Sequence, residues 1–176
     1  MKVILKIKTF LILTMLLLSS ILAKSQVGEY FVKAAFIEKF ARFTEWKPNA
    51  IGKSFVIGVL GKSPFSGELE ILAEKSQIKN KPVEIKYIKD YHDILNCQVL
   101  FICASEKDNL QEVINYLGNS NILIVGDTPG FSEKGVHFNF YLTRKGSMHF
   151  EINMKALVKA GLVADMQLLS IGRITK

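Results

Sequence analysis

VKAAFIEKFARFTEW, residues Val32–Trp46, is the stretch from which the fold is best approached. Its large apolar side chains recur every three or four residues, at Val32, Phe36, Phe40, Phe43 and Trp46. Residues at this spacing share one face of a helix, so the stretch predicts a helix with one apolar face. An aromatic side chain buries roughly 150–250 Å², and we therefore expect this face to anchor the core. The opposite face carries Glu38, Arg42 and Glu45.

Beyond this helix, apolar segments alternate with amphipathic ones. The apolar segments predict four strands, Ser54–Leu60, Pro82–Ile88, Gln98–Ala104 and Asn121–Val125. Helices are predicted between them: from N-cap Ser63 and Pro64 to about Lys75, at Tyr91–Leu95, and over Lys107–Leu117 with Ser105 as N-cap. This alternation predicts an α/β fold, a single-domain layered sandwich with a mostly parallel central sheet.

The pattern changes near the end of the chain, where Val136–Leu142 and Ser147–Asn153 predict an antiparallel hairpin. A three-residue loop, residues 144–146, sets Leu142 opposite Met148, whereas a two-residue loop sets apolar against polar side chains. Gly146 suits the left-handed position that this loop requires. A helix is then predicted from about Met154 to Ala160, and Gly161 ends it.

One face of the predicted hairpin holds the most concentrated polar cluster in the chain. Its members are His137, Asn139, Tyr141, His149, Glu151 and Asn153. Two interpretations stand side by side. The face is either a solvated outer surface, as antiparallel sheets commonly have, or a surface that meets a partner or ligand.

The first 25 residues are typical of a secretory signal peptide. Three lysines precede the apolar run Phe10–Leu18, and Ala23, Lys24 and Ser25 fit a small-x-small cleavage pattern. We expect cleavage there, with an uncleaved anchor as the alternative, and cleavage leaves residues 26–176 as one domain. Without the signal peptide, 19 basic and 16 acidic residues remain, a net charge of +3. So mild a charge does not indicate a nucleic-acid-binding protein.

Cys97 and Cys103 lie six residues apart in one predicted strand. Six strand residues span about 20 Å, which is far more than a disulfide tolerates. The two thiols are therefore expected to be buried and not to pair with each other.

Nucleotide binding is suggested only by fragments of motifs. Gly61, Lys62 and Ser63 lie between a strand and a helix, but the glycine that a phosphate-binding loop needs five positions earlier is replaced by Val56. Pro64 also removes a backbone donor where the phosphate belongs. The sequence does not support this class of protein.

Metal and enzyme sites are not indicated either. The three histidines, His92, His137 and His149, show no metal-binding spacing. The chain contains no GxSxG element, and neither cysteine lies in a polar helix-capping context. The sequence therefore favours a protein without catalytic residues, metal or cofactor.

Three features in chain order resemble the YfiR/HmsC family of periplasmic signalling regulators. They are the opening helix KAAFIEKFARFTEW that ends at Trp46, the strand QVLFICAS at Gln98–Ser105, and a C-terminal block. That block joins FEIN at Phe150–Asn153 to the tail KAxxxAGL at Lys155–Leu162, LL at Leu168–Leu169 and Arg173.

The resemblance implies a periplasmic protein, often dimeric, that acts without catalysis. Such proteins bind and inhibit the periplasmic domain of a membrane-bound diguanylate cyclase, and an outer-membrane-associated partner relieves the inhibition. The output is cyclic-di-GMP and biofilm formation. Carried over by position, the resemblance implies partner contacts at Arg42, Glu151, Asn153 and Arg173. Some family members carry disulfides, and Cys97 matches such a position without an evident partner.

Other functions remain as alternatives to an inhibitor of a cyclase. One is a small-ligand-binding module that uses the crevice at the strand ends of the sheet. A second is an adaptor for another membrane sensor, and a third is a secreted enzyme.

Overall fold

The described part of the chain, residues 28–48 and 50–175 of the computed structural model, is organised around one large sheet. The proposed signal peptide lies outside the described residues. The strands are β1 Thr44–Glu45, β2 Phe55–Leu60, β3 Gln77–Ile78, β4 Lys81–Ile88, β5 Val99–Ile102, β6 Leu123–Gly126, β7 Phe138–Leu142, β8 Met148–Asn153, β9 Val163–Ala164 and β10 Arg173–Thr175. The helices are α1 (28–42), α2 Glu68–Lys75, α3 Leu110–Leu117, α4 Met154–Lys159 and α5 Met166–Leu169. Short 3₁₀ helices lie at Tyr91–Asn96, Ala104–Glu106 and Ser132–Lys134.

Eight strands form the main sheet in the order β10-β8-β7-β6-β5-β2-β4-β3. Strands β4, β2, β5, β6 and β7 run parallel, and β8 is antiparallel to β7. Strand β10 runs parallel to β8 at one edge, and β3 is antiparallel to β4 at the other. The predicted fold class, a mostly parallel α/β sheet with a C-terminal antiparallel hairpin in one domain, is confirmed.

Both faces of the sheet are covered, which explains why its central strands are apolar throughout. All the residues of β2, β5 and β6 are buried. Helices α1, α2 and α4 pack on one face through side chains such as Phe40, Leu69 and Leu157. Helix α3 and the 3₁₀ helix at Tyr91–Asn96 cover the other face through Val113 and Ile94.

The opening helix differs from its prediction in both its end and its face. It ends at Arg42, and Thr44 then pairs with Ala164 in the two-stranded β1–β9 sheet. Its fully buried residues include Ile37 and Phe40. Phe36, Phe43 and Trp46 are only partly buried, and Val32 is exposed, so the buried face is rotated from the predicted one. The earlier end follows from the pairing of Thr44 with a distant residue, which local spacing does not report.

Two predicted N-caps are wrong. Helix α2 begins at Glu68, after Gly67, and Ser63 accepts a hydrogen bond from the Phe65 amide in the preceding loop. Helix α3 begins at Leu110. The Ser105 hydroxyl accepts a hydrogen bond from the Lys62 amide at 2.8 Å, which joins the loops after β5 and β2. Both serine hydroxyls therefore accept hydrogen bonds from loop amides, and neither caps a helix.

The predicted hairpin register is confirmed. Leu142 lies opposite Met148, and Phe140 lies opposite Phe150. Gly146 has a φ of 78°, the left-handed conformation that the three-residue loop needs. The predicted helix after the hairpin is confirmed as α4, whereas the sequence pattern does not predict β3, β9, β10 or α5.

The polar face of the hairpin is not a solvated surface along its whole length. His137, Asn139 and Asn153 are buried, because the connection from β6 to β7 folds over them. Tyr141, His149 and Glu151 keep more exposure. The solvated interpretation is wrong for the first three residues, and the remaining three lie at the accessible end of this face.

The two cysteines are buried and free, as predicted. Burial raises the pKa of the Cys97 thiol to about 11 and that of Cys103 to about 12. Both thiols therefore stay protonated and unreactive near neutral pH.

Candidate functional site

Three of the accessible polar side chains meet at the β10 edge of the sheet. Strand β10 sets Arg173 beside Glu151, and the Arg173 guanidinium donates a hydrogen bond to Glu151 Oε1. The same guanidinium lies over the ring of Tyr141, with Cζ 4.5 Å from the ring centroid. We call Tyr141, Glu151 and Arg173 the edge cluster.

The charges of the edge cluster are unequally exposed. The Arg173 side chain is 59% exposed, whereas that of Glu151 is 14% exposed. The hydrogen bond from Arg173 to Glu151 raises the pKa of the guanidinium. A guanidinium has five N–H donors, so most of those on Arg173 remain free to meet an acceptor on another molecule.

Asn139 supports Glu151 from below. Its Nδ2 donates to Glu151 Oε2 at 3.4 Å and to the Thr128 carbonyl at 3.0 Å. Asn139 is buried, so these bonds hold the carboxylate from the protein side and leave Arg173 on the outside. Next to the cluster, the His149 ring stacks on Tyr141 with centroids 5.9 Å apart.

Asn153 lies on the same hairpin face but is committed to internal contacts. Its Oδ1 accepts from the Ala156 amide at 2.9 Å as the N-cap of α4, and its Nδ2 donates to the Ser132 carbonyl at 2.7 Å. It is only 8% exposed. These contacts make it a residue that holds the covering loop and α4 in place.

Arg42 lies apart from the edge cluster. It forms an ion pair with Glu38 one turn earlier in α1, with Nη2 2.6 Å from Oε1. Glu38 also accepts from the Ser76 hydroxyl at 2.9 Å. Of the four residues implied by the resemblance, the structure therefore joins only Glu151 and Arg173 directly.

A second charged group lies at the carboxyl ends of the parallel strands. Lys33 is buried, and its Nζ lies 2.7 Å from both Glu29 and Asp127, the residue that follows β6. The Tyr30 hydroxyl donates to the same Asp127 oxygen at 2.8 Å. Burial, reinforced by Asp127, raises the pKa of the Tyr30 phenol. We call Glu29, Tyr30, Lys33 and Asp127 the buried lysine network.

A crevice of about 330 Å³ adjoins this network, between Lys33, Asp127 and the hairpin residues Tyr141 and Met148. The neighbouring crevice between β2 and β5, where such sheets commonly bind ligands, is bridged by the contact of Lys62 with Ser105. The charged side chains of Glu29, Lys33 and Asp127, which line the 330 Å³ crevice, are already paired within the protein.

Family comparison gives these positions a context. The model of the YfiR/HmsC-like family matches residues 30–173, which is most of the chain. The chain belongs to the YfiR/HmsC-like family. The members of this family are periplasmic regulators rather than enzymes.

Solved structures share the fold of this YfiR/HmsC-like protein at low sequence identity. One is the ABC domain from Streptococcus pneumonia in complex with L-Trp, at 14% identity and a TM-score of 0.56, over 78% of this chain and 59% of that one. Another is a conserved domain protein from Vibrio cholerae O1 biovar El Tor, at 12% identity and a TM-score of 0.55, over 81% of this chain and 60% of that one. The chain thus spans about three fifths of each structure's length. Among curated proteins there is no match.

Two further observations concern the described residues of this YfiR/HmsC-like protein. None of their helices has the length and apolar character to cross a membrane. Within residues 28–48 and 50–175, no three His, Cys, Asp or Glu side chains are grouped to hold a metal ion.

The sequence signals for the site are incomplete in two respects. Arg173 follows an apolar segment, and only the β10 pairing reveals that it meets Glu151. Lys33 is hidden in the opening helix, where a lysine is normally solvated. A useful signal exists for Lys33, since it lies one turn after Glu29 and three residues after Tyr30.

Proposed function

We propose that this protein is a periplasmic regulator that binds and inhibits the periplasmic domain of a membrane-bound signalling enzyme, a diguanylate cyclase. Through this contact it controls cyclic-di-GMP output and biofilm formation. A cleaved signal peptide at residues 1–25 delivers it to the periplasm. An outer-membrane-associated protein relieves the inhibition, and the regulator itself acts as a homodimer.

The observation that carries the proposal is the exposed guanidinium of the edge cluster in a chain of this family. Glu151 and the Tyr141 ring hold Arg173 in one place, so little side-chain entropy is lost when a partner binds it. Arginine is enriched among the residues that dominate protein–protein binding. A carboxylate on the partner is the group that best fits a guanidinium fork.

The surroundings of Arg173 support a protein partner over a small solute. Ile171 and Ile174 flank it in the chain, and both are 57% exposed. Strand β10 is also the outermost strand of the described sheet. Exposed apolar side chains, an arginine and an open strand edge together are typical of a surface that binds another protein.

Arg42 and Asn153 enter the proposal in different ways. Arg42 is proposed as a separate contact on α1, since its side chain is 42% exposed. Asn153 contributes by holding the loop and α4 beneath the hairpin face, from a position 8% exposed. The proposal therefore centres on Arg173 and Glu151.

The decisive experiment is affinity purification from gently solubilised membranes, combined with measurement of cyclic-di-GMP in cells that express each variant. The wild type is expected to recover a membrane cyclase and to lower cyclic-di-GMP. Arg173→Glu is expected to weaken recovery roughly tenfold or more. The double variant Glu151→Arg with Arg173→Glu keeps an internal ion pair but reverses the outer charge, so it should also fail to bind.

The matched control is Lys89→Glu, because it reverses the charge of an exposed lysine outside both proposed contacts. A smaller loss of binding than with Arg173→Glu is expected. If wild type and Arg173→Glu recover the same partner equally, the edge cluster is not the contact. Recovery of no membrane protein by the wild type contradicts the proposed function itself.

The second candidate is an adaptor for another membrane sensor, such as a histidine kinase or a transport receptor. It uses the same exposed Arg173, and the identity of the co-purified protein separates it from the first. Binding of a small ligand at the carboxyl ends of the strands ranks lower, because the buried lysine network already pairs the charges beside that crevice.

A further inference from the structure

A further cleft in the described part of the molecule lies at the opposite end of the sheet from the buried lysine network. It has a volume of about 440 Å³ and opens between α3 and α4, at the amino ends of β6 and β7. The proposed partner surface does not account for this cleft, because no residue of the edge cluster lines it.

A buried histidine supplies a hydrogen-bond donor to the cleft. His137 is only 3% exposed, and its Nδ1 accepts a hydrogen bond from the Ile124 amide at 3.0 Å. The proton of the neutral ring therefore resides on Nε2. This nitrogen has no acceptor among the described residues, and His137 is part of the lining of the cleft.

The histidine stays neutral under ordinary conditions. Burial lowers the pKa of His137 to about 4. It therefore presents one fixed N–H donor without introducing a buried charge, which favours an anionic or polar oxygen in front of it.

A second polar atom in the cleft also lacks a partner. The hydroxyl of Ser120 is buried without any hydrogen bond in the described structure, although Ser120 lines the cleft. Buried polar atoms in folded proteins are nearly always satisfied. The Ser120 hydroxyl is itself enclosed, so it adds a polar group to the wall of the cleft, and His137 is left as the donor that a ligand can meet.

The electrostatic surroundings indicate the charge of that molecule. Lys134, Lys155 and Lys159 line the cleft, and none of them forms an ion pair within the described residues. Glu133 is the single carboxylate of the lining. The lining therefore carries an excess of positive charge and attracts anions.

The walls of the cleft are apolar, which indicates that the ligand also has an apolar part. Ile114 and Leu117 of α3 face Ala156 and Ala160 of α4 across the cleft. We propose that this cleft binds a small organic anion, with its carboxylate or phosphate oxygens on His137 and the lysines and its apolar body between α3 and α4.

The test is an NMR titration of the purified domain, in phosphate-free buffer, with phenylacetate and phenyl phosphate as separate probes. The two arms distinguish a carboxylate from a phosphate head group. Benzyl alcohol, with a similar apolar body and no charge, is the neutral control. Saturable shifts of the Gly118 and Gly135 amides and of the His137 ring are expected for at least one anion and not for the alcohol.

Substitutions of residues that line the cleft test whether the anion binds there. His137→Asn keeps an acceptor near Nδ1 for the Ile124 amide but removes the Nε2 donor, so it should raise the dissociation constant roughly tenfold, as expected for one lost charge-assisted hydrogen bond. Lys159→Gln should raise it about threefold to tenfold. The matched control Lys89→Gln removes an exposed lysine outside the cleft and should leave it unchanged.

Three outcomes overturn the proposal. They are no saturable shift with either anion up to about 10 mM, equal shifts with the neutral alcohol, or a His137→Asn variant that binds as the wild type does. If His137→Asn does not fold, Lys155→Gln combined with Lys159→Gln provides the same test. The titration uses the isolated protein, so its result is independent of whether a membrane cyclase is recovered.

Discussion

The two ends of the parallel strands differ in whether their lysines form ion pairs. At the carboxyl ends, Lys33 is buried and lies 2.7 Å from both Glu29 and Asp127. At the amino ends, three lysines surround a cleft without an ion pair among the described residues. The lysine charge at the carboxyl ends is neutralised within the protein, whereas the amino ends keep an excess of positive charge.

This difference indicates that the paired lysine at the carboxyl ends serves stability, whereas the unpaired lysines at the amino ends are available for binding. A buried charge that is paired is costly to disturb but offers nothing to a ligand. Unpaired surface charges contribute little to stability and remain available for binding. Comparing lysine variants at the two ends therefore tests which end serves which purpose.

The largest effect is expected at Lys33. Lys33→Ala leaves Asp127 with only Tyr30 as a donor, and breaking a buried ion pair in this way costs about 3–5 kcal/mol. The free energy of unfolding in urea measures it. The double variant Lys33→Met with Asp127→Leu should recover most of the loss, since an apolar pair of similar size avoids the unpaired charge. A loss below about 1 kcal/mol for the single variant contradicts the comparison.

The next effect is expected at Asn153, where the amino end of the sheet is held together. Asn153→Ala removes the cap of α4 and leaves the Ser132 carbonyl without its donor, at a cost of about 2 kcal/mol. Asp165→Ala is the matched control, because it removes only an exposed cap of α5. That variant should lose about 1 kcal/mol. Equal losses in urea unfolding indicate that the Ser132 contact contributes nothing.

A pH dependence is expected from His137. Its folded pKa of about 4 lies below the ordinary value of 6.5, so the unfolded chain binds the proton more readily. Stability is therefore retained above about pH 6.5 and lost as the pH falls towards 4, by about 1 kcal/mol between pH 7.5 and 5.5.

The check on this pH dependence is a comparison of wild type with His137→Asn. In denaturant unfolding, the free energy of unfolding of the variant should lack this part of the pH dependence. All other groups contribute equally in the two proteins. Parallel curves for the two proteins over that pH range would show that His137 is not buried in its neutral form.

The smallest effect is expected at the lysines of the cleft. Lys155 and Lys159 lie one turn apart on α4 and repel each other, so Lys155→Gln should stabilise the protein by about 0.2–0.5 kcal/mol in low salt. High salt should remove the gain, because it screens the repulsion. Thermal unfolding at two salt concentrations measures the effect. A clear destabilisation would mean that Lys155 has an internal partner and that the contrast with Lys33 is incorrect.

The fold is predictable where local chemistry determines it. Gly146 and the alternation of apolar and polar residues around Leu142 and Met148 are sufficient to determine the hairpin register. The apolar strands are likewise predicted within one or two residues of their observed ends in most cases. These features depend on a few neighbouring residues, which a sequence displays directly.

The remaining features depend on contacts between distant residues. Ser105 resembles a helix cap in the sequence because its partner, the Lys62 amide, lies 43 positions away. The predicted opening helix extends to Trp46 because local spacing does not reveal the pairing of Thr44 with Ala164. Tertiary pairing overrides local preference in such cases.

The candidate site is predictable only in part for the same reason. The resemblance indicates both Glu151 and Arg173, but their meeting requires strand β10, which the sequence pattern does not predict. His137 and Asn153 belong to a polar face in the sequence, and the pattern gives no sign of the loop that covers them, residues 127–136. Burial of a polar side chain is decided by what lies over it, and periodicity does not contain that information.

The packing of α1 has a consequence for how the chain acquires its structure. Phe40 stacks on Phe138 with ring centroids 4.3 Å apart and also contacts Phe150, so the first helix completes its packing against residues about a hundred positions later. Long-range closure of this kind slows folding and leaves apolar surface uncovered in the meantime. During synthesis α1 is therefore made first, and its apolar face stays uncovered until the β7–β8 hairpin has been made. Protection of that surface by a chaperone would shorten the interval in which it can aggregate.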